Sequence, residues 1–197
     1  MLRRQQKTPL PLKILRRLDN ATVTESALLF TKILSYLTLT GDVLLIILAV
    51  FWFGGSPLLR SLATRFGMLA AFLVVAASAL GSLFYSEVIG TPVCDLCWYQ
   101  RIFMYGLVLL LGTALMRRDK TIAIYGIIFS LAGAAIAFYQ WTMQLFAVYG
   151  VATLPCPSTG PSCATVYVFE FGFLTIPFMS LTAFLLTALF LAYTRRA

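Results

Sequence analysis

Four cysteines form two pairs whose spacing suits thiol–disulfide chemistry. Cys94 and Cys97 form a C-x-x-C motif, and two sulfurs at this spacing can close a small ring that opens and recloses easily. Cys97 is expected at or near a helix N-terminus, where the helix dipole and free N–H groups favour the thiolate that carries out exchange. Cys156 and Cys163 enclose two prolines and a glycine. A disulfide across this short loop is expected to be strained and labile.

Other uses of four cysteines are weaker fits. They could form inert disulfides that stabilise extracellular loops. A zinc site with four sulfur ligands is chemically possible, but the second pair lacks a C-x-x-C. The chain has no histidine, which removes the commonest metal ligand and the commonest general base. We therefore expect no metal and assign the chemistry to sulfur, to carboxylates or to a bound cofactor.

Two of the residues that follow the C-x-x-C, Arg101 and Trp98, could bind a quinone, which is a two-electron acceptor dissolved in the membrane. Arg101 lies one helical turn past Cys97 on the same face. Its cation could hold a thiolate and polarise a quinone carbonyl, or it could be an interface anchor whose side chain points outward. Trp98 could stack on a quinone ring, or it could belong to the aromatic belt of the membrane interface.

Long apolar segments would position these residues in a bilayer. The chain is 60% hydrophobic and 11% charged, with a mean hydropathy of +0.91, whereas soluble proteins carry about 25% charged residues. Its net charge of +8 comes from bases at the ends of apolar runs, which favours a membrane surface over nucleic acid. Four segments match the thickness of a membrane: 66–86, 98–116, 121–144 and 171–193.

The distribution of charge predicts which loops lie outside the cytoplasm. Bases occur between the second and third segments and after the fourth: Arg117, Arg118, Lys120, Arg195 and Arg196. The other two loops, 87–97 and 145–170, contain no Lys or Arg but three acids. Of these acids, Glu87 and Asp95 are expected to be solvated loop charges, with proton acceptance as the alternative. Since bases collect on the cytoplasmic side, both loops and all four cysteines are expected outside.

The first 65 residues are expected to form a separate N-terminal unit before a bundle formed by 66–197. Residues 1–20 carry six bases and are typical of an amphipathic segment on an anionic membrane face. Segment 33–53 is apolar, and its Asp42 costs about 2.5–3.5 kcal/mol on insertion scales, which the apolar residues offset. We expect a fifth membrane helix here. A full crossing would place the basic N-terminus outside, against the charge rule. The alternative is a re-entrant or interfacial helix broken at Gly41–Asp42.

Three motifs resemble one known family. The segment from Pro92 to Tyr105, PVCDLCWYQRIFMY, resembles the signature of the bacterial disulfide bond formation protein B family, DsbB, and most closely its short Gram-positive branch, BdbC. Segment 154–163 resembles the second cysteine loop of that family, and 174–181 resembles the start of its last helix. The resemblance runs from Phe66 to the C-terminus. It implies an all-α, multi-pass membrane four-helix bundle, to which this chain adds an N-terminal membrane helix.

The resemblance also implies a path for electrons. A thioredoxin-fold thiol oxidase of the DsbA or BdbD type would attack Cys156, and Cys163 would exchange with Cys94. Cys97 would lie beside ubiquinone or menaquinone, and Arg101 would support that site. The implied location is the bacterial inner membrane, with the cysteine loops on the extracytoplasmic face.

The chain departs from the family pattern in three features. Its first 65 residues have no counterpart in the four-helix form, its second cysteine pair is more closely spaced than in the Gram-negative branch, and it has no histidine to assist at the quinone. Two alternatives stay open. One is a quinone reductase of the vitamin K epoxide reductase type, in which the C-x-x-C follows the loop cysteines. The other is a non-enzymatic membrane subunit with structural disulfides, which would not need Arg101 one turn after the C-x-x-C.

Overall fold

Five long helices account for most of the chain. The computed structural model describes residues 12–54, 57–151 and 162–195. The helices are α1 (Leu12–Gly54), α2 (Pro57–Glu87), α3 (Asp95–Arg117), α4 (Ala123–Tyr149) and α5 (Ile176–Arg195). All five are long and apolar enough to cross a membrane, which confirms the predicted all-α, multi-pass fold. Residues 1–11 of the predicted basic segment lie outside the described residues.

Helices α2 to α5 form a closed four-helix bundle. Helix α5 packs against α2 and α4, and α3 packs against the same two helices from the opposite side. Small residues in α4 let α5 approach closely, because a Cβ atom at Gly133 would lie 2.5 Å from the ring of Phe184. The core between the helices is built from small, aliphatic and aromatic residues of all four, among them Ala71, Val75, Leu107, Leu111, Ala137, Phe184 and Leu191.

A reverse turn before α5 delays the start of that helix. The predicted span began at residue 171, but α5 begins at Ile176. Phe171 and Gly172 have positive φ angles of 53° and 81°, which bring Glu170 back to pair with Leu174. These conformations are incompatible with a continuing right-handed helix.

Helix α4 holds this turn in place with two hydrogen bonds. The indole Nε1 of Trp141 donates to the carbonyl oxygen of Phe173 at 2.9 Å. The hydroxyl of Tyr149 donates to the carbonyl oxygen of Gly172 at 2.9 Å. The turn therefore fixes where the segment containing Cys163 enters α5.

Helix α1 is continuous, so the alternative of a helix broken at Gly41–Asp42 is wrong. The Thr182 hydroxyl donates to the Asp42 carboxylate at 2.7 Å and gives this acid a partner within the apolar region. Because Gly41 has no side chain, α1 can pack closely against α5 at this point. A Cβ atom at Gly41 would lie 3.2 Å from Leu186 Cδ1.

Two contacts show which way α1 runs. The hydroxyls of Thr31 and Tyr85 lie 2.9 Å apart, and Tyr85 is close to the cysteine end of α2. At the other end of the bundle, the Tyr193 hydroxyl donates to the carbonyl oxygen of Leu48 at 2.7 Å. Helix α1 therefore runs antiparallel to α2 along the bundle, with its Leu12 end at the same end as Cys94. The charge rule disfavours this arrangement in a membrane, whereas the contacts with α2 and α5 stabilise it.

Candidate functional site

The C-x-x-C lies where α3 begins. Cys94 is the N-cap residue of α3, and Cys97 lies in its first turn, so the helix starts three residues before the predicted span. Both are free thiols with their sulfur atoms 3.0 Å apart. A disulfide bond is about 2.0 Å long, so closure needs only a small side-chain movement. The hydrogen bond with Cys97 and burial raise the pKa of the Cys94 thiol, so Cys94 retains its proton.

Cys163 reaches the same place from the loop before α5. It is 1% exposed and takes part in a disulfide bond. It shares one buried cluster with Cys94 and Met143, and Cys97 packs against this cluster. Cys156 lies outside the described residues. Three of the four predicted cysteines are thus brought together by α3, α4 and the following loop.

Arg101 points into the bundle. It is 5% exposed, its Nε donates to Ser82 Oγ at 2.9 Å, and its Nη2 donates to the Ser82 carbonyl oxygen at 2.7 Å. An outward-pointing interface anchor does not fit this burial. Nη1, the remaining guanidinium nitrogen, makes no hydrogen bond to any residue that the structure describes. Arg101 is therefore a fixed cation near Cys97 with one nitrogen available to a ligand.

Trp98 contacts this cation from the lipid side. The guanidinium carbon of Arg101 lies 5.4 Å from the centre of the Trp98 ring, within the range of a cation–π interaction. Trp98 is 50% exposed. Trp98 is not among the residues that line the cavity beside the sulfur atoms, so its stacking on a quinone stays a prediction.

Gln140 of α4 is the main site residue that the sequence analysis missed. Its Nε2 atom lies 3.2 Å from the sulfur of Cys94 and 3.2 Å from that of Cys97. Gln100 orients this amide by donating to its Oε1 atom at 2.7 Å. Gln140 is only 1% exposed. The available signal was a pair of amides, Gln140 and Gln144, four residues apart in an otherwise apolar helix.

Replacement of Gln140 by leucine should make the Cys94–Cys97 disulfide harder to reduce. Hydrogen bonds to an ionised acceptor are about twice as strong as those to a neutral one, so the amide stabilises a thiolate more than a disulfide. Without this hydrogen bond, the reduced pair loses about 1–1.5 kcal/mol of stabilisation. The equilibrium constant for reduction of the disulfide then falls about tenfold. The fraction of reduced pair across a series of glutathione buffers, read by thiol alkylation, measures this change.

Gln144→Leu is the matched control for this substitution. Gln144 lies one turn along the same face and is also buried, but its Nε2 donates to the backbone oxygen of Thr165 at 3.0 Å. The Gln144→Leu variant should leave the redox midpoint of the Cys94–Cys97 pair in the glutathione buffers unchanged. An equal shift in both variants would mean that Gln140 acts only through packing.

A small cavity of about 60 Å³ adjoins the sulfur atoms. Cys97 and Arg101 of α3 and Gln144 of α4 are among the residues that line it. The Oε1 atom of Gln144 is buried and has no hydrogen-bond partner in the described part of the chain. Buried polar atoms normally have partners, so the residues that line the cavity include a free acceptor and a cationic donor. Neither Glu87 nor Asp95 lines it.

Comparison with known proteins adds independent findings. The family model described as "Disulfide bond formation protein DsbB" matches residues 64–194. A "Probable disulfide formation protein" of Coxiella burnetii is 37% identical over 127 residues, 64% of this chain and 86% of the relative. A "Probable disulfide formation protein C 2" of Bacillus cereus is 38% identical over 61% of this chain and 85% of the relative.

The similarity extends to other bacteria but not to solved structures. A "Probable disulfide formation protein" of Oceanobacillus iheyensis is 42% identical over 59% of this chain and 77% of the relative. No solved structure matches the chain at a significant level. The matched residues contain both cysteine pairs, Arg101 and Gln140, and they exclude the whole of α1 and the segment before it. This five-helix membrane protein, with its C-x-x-C at the start of α3, therefore belongs to the disulfide bond formation protein DsbB family.

Proposed function

We propose that this protein is a membrane thiol:quinone oxidoreductase that reoxidises a thioredoxin-fold dithiol oxidase outside the cytoplasm. The observation that carries this proposal is the position of Cys163. It lies in one buried cluster with Cys94, and Cys97 packs against that cluster, so one sulfur of the outer pair lies beside the inner pair. Membership of the family supports the same chemistry.

The first two steps transfer the disulfide to the partner. A thiolate of the partner attacks the sulfur of Cys156 in a Cys156–Cys163 disulfide, and Cys163 leaves as a thiolate. The second thiolate of the partner then attacks the mixed disulfide, which releases the oxidised partner and the Cys156 thiolate. We pair Cys163 with Cys156 because Cys94 and Cys97 are both free thiols.

The next two steps move the electrons inward. The Cys163 thiolate attacks the sulfur of Cys94 in the Cys94–Cys97 disulfide, and Cys97 leaves as a thiolate. Cys156 then attacks Cys163, which restores the outer disulfide and releases Cys94. The inner pair is now a dithiol. The structure has this combination of a disulfide-bonded Cys163 and two free thiols at the start of α3.

The residues around Cys97 fit a quinone as the final acceptor. A bound quinone takes two electrons and two protons from the Cys94–Cys97 dithiol and is reduced to a quinol. Arg101 is placed to donate a hydrogen bond from Nη1 to a carbonyl oxygen, where negative charge develops. The unpartnered Oε1 atom of Gln144 can accept a hydrogen bond from a quinol hydroxyl. Ubiquinone and menaquinone both carry these groups.

The bases that follow α3 support the proposed location, although Lys13, Arg16 and Arg17 of α1 lie at the cysteine end of the bundle. Arg117, Arg118 and Lys120 lie at the end opposite the cysteines, and the positive-inside rule places that end in the cytoplasm. The cysteines would then face the periplasm or the outer surface of a bacterial inner membrane, where disulfides persist. Reduction of the membrane quinone at this face would deliver the electrons to the respiratory chain.

Electron transfer by purified, oxidised protein tests the proposal. Added to a reduced thioredoxin-fold dithiol oxidase and a quinone, it should produce one quinol for each partner disulfide formed. In intact cells, a membrane-impermeant thiol reagent should label the cysteines after reduction. Absence of quinol production, or labelling only in disrupted cells, would contradict the proposal. An inert membrane subunit would give the same labelling but no quinol.

A further inference from the structure

Helix α1 extends beyond the bundle at the cysteine end. The ring of its Phe30 lies 4.0 Å from the ring of Phe84, and the hydroxyl of its Thr31 lies 2.9 Å from that of Tyr85. Helix α2 ends shortly afterwards, at Glu87. Because α1 runs antiparallel to α2, residues 12–28 form an arm that continues past the end of α2. At 1.5 Å per residue, the arm is about 25 Å long.

The base of the arm lies beside the redox site. Tyr85 contacts both Phe30 and Thr31, and it lines the same cavity as Cys94 and Cys97. The length of the arm is close to the diameter of a small domain, which is about 30 Å. A small protein domain that approaches Cys94 from beyond the end of the bundle therefore passes alongside the arm.

Three bases of the arm share one helical face. Lys13, Arg16 and Arg17 have the spacing of neighbours on a helix surface. The two acids of the arm, Asp19 and Glu25, fall outside this face. By contrast, the loops at the cysteine end, 88–94 and 150–175, contain no Lys or Arg. The arm therefore adds a positive surface at an end of the bundle whose loops have no base.

The direction of the arm favours a protein over a lipid surface. To lie on a membrane, the helix would have to bend sharply where it leaves the bilayer, and sharp bends need a proline, a glycine or an interrupted hydrogen-bond ladder. Helix α1 is unbroken from Leu12 to Gly54, and residues 12–40 contain neither glycine nor proline. The arm thus continues the direction of the membrane span, away from the lipid.

We propose that the arm docks the thioredoxin-fold partner by binding an acidic patch on the surface of that partner. This inference rests on the function proposed above. It adds a contact outside the matched family region, which begins at residue 64. Opposite charges steer association, so the arm raises the rate at which the reduced partner reaches the outer disulfide. Docking also gives a reason for bases at an end of the bundle where the charge rule disfavours them.

Reversal of the three charges tests the docking arm. The full-length protein is assayed in phosphatidylcholine nanodiscs with a short-chain ubiquinone and one of two donors: the reduced thioredoxin-fold dithiol oxidase of the same organism, or dithiothreitol, which needs no docking. In the variant Lys13→Glu, Arg16→Glu, Arg17→Glu, kcat/KM for the partner should fall about tenfold, mainly through KM. Added salt should lower the wild-type kcat/KM for the partner but not that of the variant. Turnover with dithiothreitol should equal that of the wild type, which also shows that the variant is folded.

The variant Arg117→Glu, Arg118→Glu, Lys120→Glu is the matched control. It makes the same change in net charge at the opposite end of the bundle. Its kcat/KM for the partner should equal the wild-type value. An equal loss in the two variants would show that the net charge of the protein acts rather than the arm, and would overturn the proposal.

A photo-crosslinking residue at Asn20 identifies what the arm contacts, because Asn20 lies seven residues after Lys13 on the same face. An adduct with the partner is expected. Adducts with lipid alone, in nanodiscs that contain phosphatidylglycerol, would mean that the arm binds the membrane and would overturn the proposal.

The kinetic outcomes separate the docking arm from the proposed function. If the wild type forms quinol with neither donor, the proposed function fails. If it forms quinol with both donors and charge reversal in the arm leaves kcat/KM for the partner unchanged, the docking proposal is overturned while the proposed function stands.

Discussion

Cys97→Ser should reduce quinol formation to the uncatalysed background. In the proposed mechanism, Cys97 is the leaving group when Cys163 attacks Cys94, and Cys97 lines the same cavity as Arg101. A serine hydroxyl cannot form a disulfide and is not ionised at neutral pH, so the inner pair can neither accept nor pass on electrons. The rate of quinone reduction in the presence of the reduced partner measures the effect.

The same variant contains its own control for folding. The outer disulfide is intact, so one equivalent of the partner should still be oxidised in a single turnover. Acid quenching followed by thiol alkylation and gel electrophoresis would detect this single-turnover burst of partner oxidation. Full multiple turnover by Cys97→Ser would refute the assignment of the inner pair, and loss of the burst as well would point to misfolding.

Arg101→Leu should lower kcat/KM for the quinone about 100-fold, because removal of one preorganised donor to developing negative charge costs about 2.7–4 kcal/mol. Steady-state kinetics with varied quinone measure this loss. Arg101→Lys should recover little of it. An ammonium group cannot reproduce the pair of hydrogen bonds to Ser82 Oγ and to the Ser82 carbonyl oxygen.

Ser82→Ala is the matched control for Arg101. It removes the Oγ acceptor but keeps the carbonyl acceptor and the cation, so we expect a loss well below that of Arg101→Leu. The single-turnover burst with the partner should be normal in all three variants. If kcat/KM for the quinone in Arg101→Leu equals the wild-type value, then Arg101 has only a packing role.

The sequence was sufficient for the number of helices and for the position of the inner cysteine pair. Helices α1 and α2, however, begin at Leu12 and Pro57 rather than at residues 33 and 66. Apolar runs of membrane length depend only on composition, and the C-x-x-C was expected at a helix start, where Cys94 is in fact the N-cap. Local sequence could also place Arg101 on the same face as Cys97, because that relation depends only on the helical repeat. The start of α5 was displaced by a turn whose positive φ angles at Phe171 and Gly172 depend on contacts with α4.

Contacts between distant helices could not be predicted. Gln140 reaches the sulfurs from 43 residues away in the chain, and Ser82 reaches Arg101 from 19 residues away. A glutamine or serine in an apolar helix has no local signature that identifies its partner. The same holds for Asp42, whose bond to Thr182 spans 140 residues and accounts for an unbroken α1. Such pairs depend on which helices pack together, and one sequence does not specify this.

The attachments of the segment before α5 have a kinetic consequence. Trp141 and Tyr149 tie the turn at Phe173 and Gly172 to α4, and Gln144 ties Thr165 to the same helix. In the proposed mechanism, the Cys163 thiolate would therefore meet the inner pair at a high effective molarity, as in well-oriented intramolecular reactions. Exchange between the pairs would be a first-order event that dilution does not slow. Collision with the reduced partner would be the concentration-dependent step, so the flux would follow the supply of that partner.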